Sequence, residues 1–184
     1  MKRFAFVVGL VLLVFAVSIW AQTTAPTPDP EIKKFDVFVG HWTYTGEYMA
    51  GPLGPSSKVT GEWSCRKILG GFFFQNQFAE KGPMGESRGI EIVGYDPAKK
   101  AFFTNEYHDD GNMMSGAYVF NGNTATYTGK FSVGGKTYML KAAITPAADS
   151  MSFTVKAGTS LDGSSWTPWV EAKYTKVPEP APKK

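Results

Sequence analysis

Alternation with a period of two, kept up over segment after segment, is the feature that most narrows what this 184-residue chain can fold into. Successive side chains of a strand point to opposite faces, so alternating apolar and polar residues mark a half-buried strand. Turn chemistry interrupts the alternation at nearly regular spacing: Gly51-Pro52, Gly70-Gly71, Gly82-Pro83-Met84-Gly85, Asp96-Pro97, Asp110-Gly111, Asn121-Gly122, Gly134-Gly135, Pro146 to Asp149 and Asp162-Gly163. Asn-Gly and Asp-Gly suit tight hairpins because both central residues take positive φ at little cost. The spacing predicts about ten strands joined mostly by hairpins, an all-β, single antiparallel up-and-down barrel whose closure removes exposed edges. A 15% aromatic content with 20 glycines agrees with strands rather than helices.

Parity sorts the faces. The inner one is expected to carry Val59, Trp63 and Cys65, then Phe72, Phe74, Asn76 and Phe78, then Ile90, Ile92, Phe103, Asn105 and Tyr107. It continues through Met114, Tyr118, Phe120, Tyr127 and Phe131 to Leu140, Ala142 and Phe153. Glu91, Thr104, Glu106 and other polar residues fall on the outer face. Asn76, Asn105 and the hydroxyls of Tyr107, Tyr118 and Tyr127 would then point into the interior, where each needs a partner. An apolar cavity with a few convergent polar groups is what a small-molecule site looks like. The candidate ligand-binding residues are therefore Trp42, Trp63, Phe74, Asn76, Asn105, Tyr107, Tyr118 and Tyr127. A filled core whose side chains satisfy one another is the alternative reading.

The termini read differently. Lys2-Arg3 followed by the apolar run Phe4 to Trp20 and then Ala21 is a signal peptide pattern, residues 1–21, and implies a periplasmic or secreted protein. An uncleaved membrane anchor is the rival reading of the same run. Residues 22–34 form a Pro-rich linker, 35–177 the barrel, and 178–184 a disordered tail. Outside the leader the charge is nearly balanced, which gives no footprint for nucleic acid. The lone cysteine, Cys65, cannot close an intramolecular disulfide and is expected to pack as a small hydrophobe.

Catalytic patterns are missing from the sequence. It holds no Gly-x-Ser-x-Gly elbow, no His-Glu-x-x-His, no P-loop and no cysteine pair for zinc, so no catalytic residue, metal ligand or cofactor is assigned. Only His41 and His108 offer an imidazole. His41 is expected to face solvent. His108-Asp109-Asp110, with Glu106 at matching parity, could hold a metal or an acid and base, but acidic residues beside Gly111 are ordinary turn formers. An enzyme at the barrel mouth built on Glu106 and His108 therefore ranks below a binding protein and below a filled barrel that contacts another envelope protein.

Phe38-Val-Gly-His-Trp42, Gly89 to Gly94-Tyr95-Asp96, and Asp162-Gly163 to Trp166 with Glu171 and Tyr174-Thr-Lys176 resemble the bacterial domain-of-unknown-function 1579 family (DUF1579). The resemblance implies a lipocalin-like or calycin-like barrel and an exported location, and it leaves the activity open. In such barrels a Gly-x-Trp pair opens the first strand and its indole plugs one end, covered by a basic side chain from the last strand. Lys173 or Lys176 would fill that part here. The chain is also distantly similar to nitrobindin, but it lacks a histidine after His108 to ligate haem. The partner expected from the apolar inner face, and not from the resemblance, is a small hydrophobic ligand, with a membrane involved only if the leader stays attached.

Overall fold

The computed structural model describes residues 25–82 and 85–179. The leader, 1–21, and the end of the tail, 180–184, lie outside the described residues. A 3-10 helix, Pro30–Phe38, precedes ten strands: β1 (Gly40–Tyr48), β2 (Ser57–Ile68), β3 (Phe73–Gly82), β4 (Gly85–Asp96), β5 (Ala101–His108), β6 (Met113–Asn121), β7 (Thr124–Val133), β8 (Lys136–Pro146), β9 (Ser152–Ser160) and β10 (Thr167–Val177). Each strand pairs antiparallel with the next, and β1 closes on β10 from His41↔Val177 to Tyr48↔Val170. The result is the all-β, up-and-down barrel that the alternation predicts.

The helix explains which end of the barrel is shut. Asp29 caps it by accepting from the Glu31 amide at 2.9 Å, and Pro30 supplies a preset φ at its start. Residues three apart eclipse in a 3-10 helix, so Ile32, Phe35 and Phe38 share one face, and all three are buried. The folded unit thus begins at Pro30, ahead of the boundary at Phe35 suggested by composition. Phe35 packs on Phe38, Phe74 and Tyr118 with ring centroids 5.0–5.2 Å apart, and Phe38 meets Phe153 at 5.4 Å.

Gly40 turns the chain from helix to strand with φ +139°, a conformation that L side chains rarely adopt. Trp42 then enters the closed end, where its indole Nε1 donates to the Phe38 carbonyl at 2.9 Å. Lys176 from β10 sits 5.2 Å above the Trp42 ring, the basic cover the resemblance implied. Replacing Trp42 by Phe keeps much of the packing but leaves the Phe38 carbonyl without its donor. The expected cost is about 1–3 kcal/mol, read as a shift of the urea midpoint at unchanged slope.

One stretch of the parity is reversed. On β4 and β5 the residues facing inward are Glu91 and Val93, and Phe102, Thr104 and Glu106; Ile90, Phe103, Asn105 and Tyr107 are exposed. The expectation that Asn105 and Tyr107 point inward is therefore corrected, and so is the placement of Glu91, Thr104 and Glu106 outside. The physical reason is register. Gly82 pairs with Gly85 across the β3–β4 turn, which sets Asn76 opposite Glu91. The β4–β5 turn then sets Glu91 opposite Glu106. Paired residues share a face, so an inward Asn76 carries both carboxylates inward with it.

Candidate functional site

Alternating hairpins place the β1–β2, β3–β4, β5–β6, β7–β8 and β9–β10 connections at the end opposite the 3-10 helix. Between that rim and the aromatic plug lies a cavity of about 280 Å³. Its apolar wall includes Trp63, Leu140, Ala142, Ile144, Val155 and Ala157. Its polar wall is built by β3, β4 and β5; on the last two, sorting by apolarity assigns the inner face wrongly.

At the cavity floor Asn76, Glu91 and Glu106 form one row across three neighbouring strands. The Glu91 carboxylate accepts from Asn76 Nδ2 at 2.7 Å, from the Tyr118 hydroxyl at 2.9 Å and from the Thr104 hydroxyl. Glu91 is only 5% exposed. Burial, reinforced by the Glu106 charge directly across the ladder, pushes its carboxyl up to about 7 against the opposing pull of its three donors. Like charges facing each other across a ladder are destabilising, so this row carries a cost that packing has to offset.

The next row toward the rim holds His108, paired with Gly89. Its Nε2 lies 2.7 Å from Glu106 Oε1, an ion-pair contact, yet the nitrogen has no well-aligned acceptor among the described residues. The Glu106 carboxylate holds the imidazole above its ordinary range, partly opposed by burial. The turn chemistry expected of this stretch is carried by Asp110, which accepts from the Asn112 amide at 2.9 Å, while the His108 side chain turns inward.

Nearer the rim Glu80 accepts from the Tyr44 hydroxyl at 2.9 Å and from the Tyr48 hydroxyl at 2.7 Å. Burial, with Glu80 beside them, holds both phenols protonated well beyond their usual range. Tyr44 stacks on Tyr174 at 4.4 Å, and its ring lies over Gly61. A Cβ at Gly61 would strike that ring and come within 2.6 Å of the Ala79 carbonyl oxygen. Gly61→Ala is expected to cost about 1–3 kcal/mol and to loosen Tyr44 from Glu80, visible as a lower urea midpoint with a changed tyrosine near-UV signal.

The family model for proteins of unknown function DUF1579 matches residues 27–176. The chain belongs to the DUF1579 family. No curated protein matches it. Among solved structures, the crystal structure of Rv2717c from M. tuberculosis aligns with a TM-score of 0.57 at 11% identity, covering 82% of this chain and 99% of that one. The S-type phycobiliprotein lyase CPES from Guillardia theta aligns at 8% identity with a TM-score of 0.47, covering 80% and 92%. The likeness to Rv2717c supports the barrel fold alone.

Within this DUF1579 barrel the sequence-predicted binding residues separate into three groups. Trp63, Tyr118 and Tyr127 line the cavity. Trp42, Phe74 and Asn76 are buried, the first two in the plug and Asn76 behind Glu91. Asn105 and Tyr107 lie on the outer surface. Glu80, Glu91 and Tyr44 are absent from the sequence candidates, and Glu106 enters them only with His108, as a pair at the barrel mouth. The pairing of Gly82 with Gly85 around two residues was the available signal, because it fixes parity without reference to apolarity. Cys65 is buried, its thiol pushed up mainly by desolvation, in keeping with a packing role.

Proposed function

We propose that this DUF1579 protein is an exported lipocalin-like carrier that binds a small apolar or amphipathic molecule in its barrel, in the periplasm or outside the cell. The observation that carries the reading is the cavity of about 280 Å³, walled by aromatic and aliphatic side chains with polar groups converging on one side. Export is supported by the Lys2-Arg3 start and the apolar run to Trp20. The mechanism is passive. Apolar surface of the guest leaves water at about 25 cal/mol per Å², and the polar wall fixes its orientation.

Fluorescence of N-phenyl-1-naphthylamine, a neutral apolar dye, tests this directly. Saturable enhancement is expected with the unaltered chain. Ala157→Trp, which pushes an indole from β9 into the cavity, should weaken it at least tenfold while leaving the far-UV spectrum unchanged. A dye that ignores the protein, or binds the Ala157→Trp variant equally well, contradicts the proposal.

A second reading has its own observation. Phe103, Tyr107, Ile90 and Met113 are all exposed on β4, β5 and β6, and Ile90↔Tyr107 and Tyr107↔Met113 are direct neighbours. Exposed apolar side chains running across three strands on the outside of a barrel suit contact with another envelope protein. Under that reading Tyr107→Lys should abolish the contact and spare dye binding.

A further inference from the structure

We infer that the guest of this lumen is an organic cation, a protonated amine or quaternary ammonium group on a compact apolar body, an inference that rests on the lumen being a binding site. The ionisable side chains facing the cavity, its tyrosines aside, are three carboxylates, Glu80, Glu91 and Glu106, and one imidazole, His108. Neither lysine nor arginine lines it among the described residues. Lys67 and Lys176, which have inward parity, are at the closed end over Phe74 and Trp42. His108 can offset one carboxylate, Glu106, which it touches. The polar wall therefore remains acidic with His108 charged. In a site partly shielded from water such a wall favours a cation and disfavours an anion.

Three further features suit a cation. Tyr44, Tyr48, Trp63, Trp169 and Tyr174 bring electron-rich rings to the same cavity. A cation over the face of such a ring gains more when it is desolvated. Tyr127 is a cavity-lining residue only 6% exposed, and its buried hydroxyl has no partner among the described residues. It can accept an N–H from the guest, as a phenol oxygen has lone pairs to offer. Finally, Glu91 and Glu106 face each other across the β4–β5 ladder. Glu91 holds on to a proton partly because of that opposition, and a positive charge brought alongside would relieve it in the proton's place.

Three probes sharing one naphthyl body separate the head group from the apolar term: 1-naphthylmethylamine as cation, 1-naphthylmethanol as neutral form and 1-naphthoate as anion. Binding to the full mature chain at pH 7 is read by calorimetry. The amine should bind at least tenfold tighter than the alcohol, and the carboxylate more weakly than either. The double variant Glu80→Gln with Glu106→Gln should shrink the amine's advantage over the alcohol to less than threefold. Glu47→Gln, an exposed change on the outer face of β1, should leave the advantage intact. Equal affinities, or preference for the carboxylate, would overturn the cation inference and leave the lumen as a site. An advantage that survives the double variant, or falls as much in Glu47→Gln, would also overturn it. Failure of all three probes to bind would remove the lumen reading itself.

Discussion

Phe35→Ala should destabilise the barrel by about 3–5 kcal/mol, the range for deleting a buried phenylalanine ring. Phe35 is 1% exposed and reaches five other rings, from Phe38 at 5.0 Å to Phe102 at 6.4 Å. It joins the helix to the strands of the closed end. The helix that carries it is held in place by the Trp42 indole, which donates to the Phe38 carbonyl, so the helix cannot simply sink into the space the ring leaves. Urea unfolding followed by tryptophan fluorescence gives the loss directly. Phe35→Leu should cost far less, about 1 kcal/mol, as it keeps most of the apolar volume. If alanine and leucine cost the same, the ring is not a plug.

Stability should fall as pH rises from about 5 to 8, contrary to the behaviour of a protein held by ordinary carboxylate salt bridges. The sign follows from Glu91. Its carboxyl sits near 7 in the fold against a usual value of 4.5, so between those limits the folded state holds a proton that the unfolded chain has released. Folding then takes up a proton, and stability declines with pH across that window. His108 acts in the same direction, since its raised affinity for a proton stabilises the fold at low pH and is lost as pH climbs through its folded value. The groups packed around this pair are Asn76, Thr104, Tyr118 and Glu106, and Glu106 supplies the repulsion for one and the attraction for the other. The Glu91 contribution is about 3 kcal/mol, or roughly 6–12 °C in Tm for a chain of this size. Asp96, Asp110 and Asp162, each held below its usual range by local donors, set the opposite slope only at more acid pH. Glu91→Gln should flatten the decline between pH 5 and 7 and leave the His108 part above it. Thermal melts at pH 5, 6, 7 and 8 decide the matter, and a melting temperature that climbs over this range would contradict the buried, protonated Glu91.

The fold was legible because alternation and hairpin turns are local signals that repeat. Trp42, Trp63, Phe74, Tyr118 and Tyr127 fell on the inner face by parity alone, and Trp63, Tyr118 and Tyr127 do reach the cavity. The polar wall was not legible from apolarity. On β4 and β5 the outer face carries Ile90, Ile92, Phe103 and Tyr107 and the inner face carries Glu91, Thr104, Glu106 and His108. Sorting by hydrophobicity inverts such strands. A barrel that keeps carboxylates inside and an aromatic stripe outside has reversed the usual distribution on two adjacent strands. Such an arrangement is costly to keep, because an inward glutamate must be hydrogen-bonded or neutral to be tolerated. The helix is only half legible for another reason: three prolines nearby put its first half, up to Lys34, in the linker and leave Phe35 to Phe38 to the barrel, while its period-three apolar face is short and visible only once packed.

Under the proposed reading a small guest would sit between Trp63 and the acidic wall, away from the exposed apolar residues of β4, β5 and β6. Titration of the labelled protein with 1-naphthylmethanol, followed by the NMR shifts of side chains on both faces, separates the two locations. Shifts are expected at the Trp63 indole N–H and the Tyr118 and Tyr127 rings, with Phe103 and Tyr107 unmoved. Shifts confined to Phe103, Tyr107 and Met113, or none anywhere at saturating probe, would contradict a guest in the lumen.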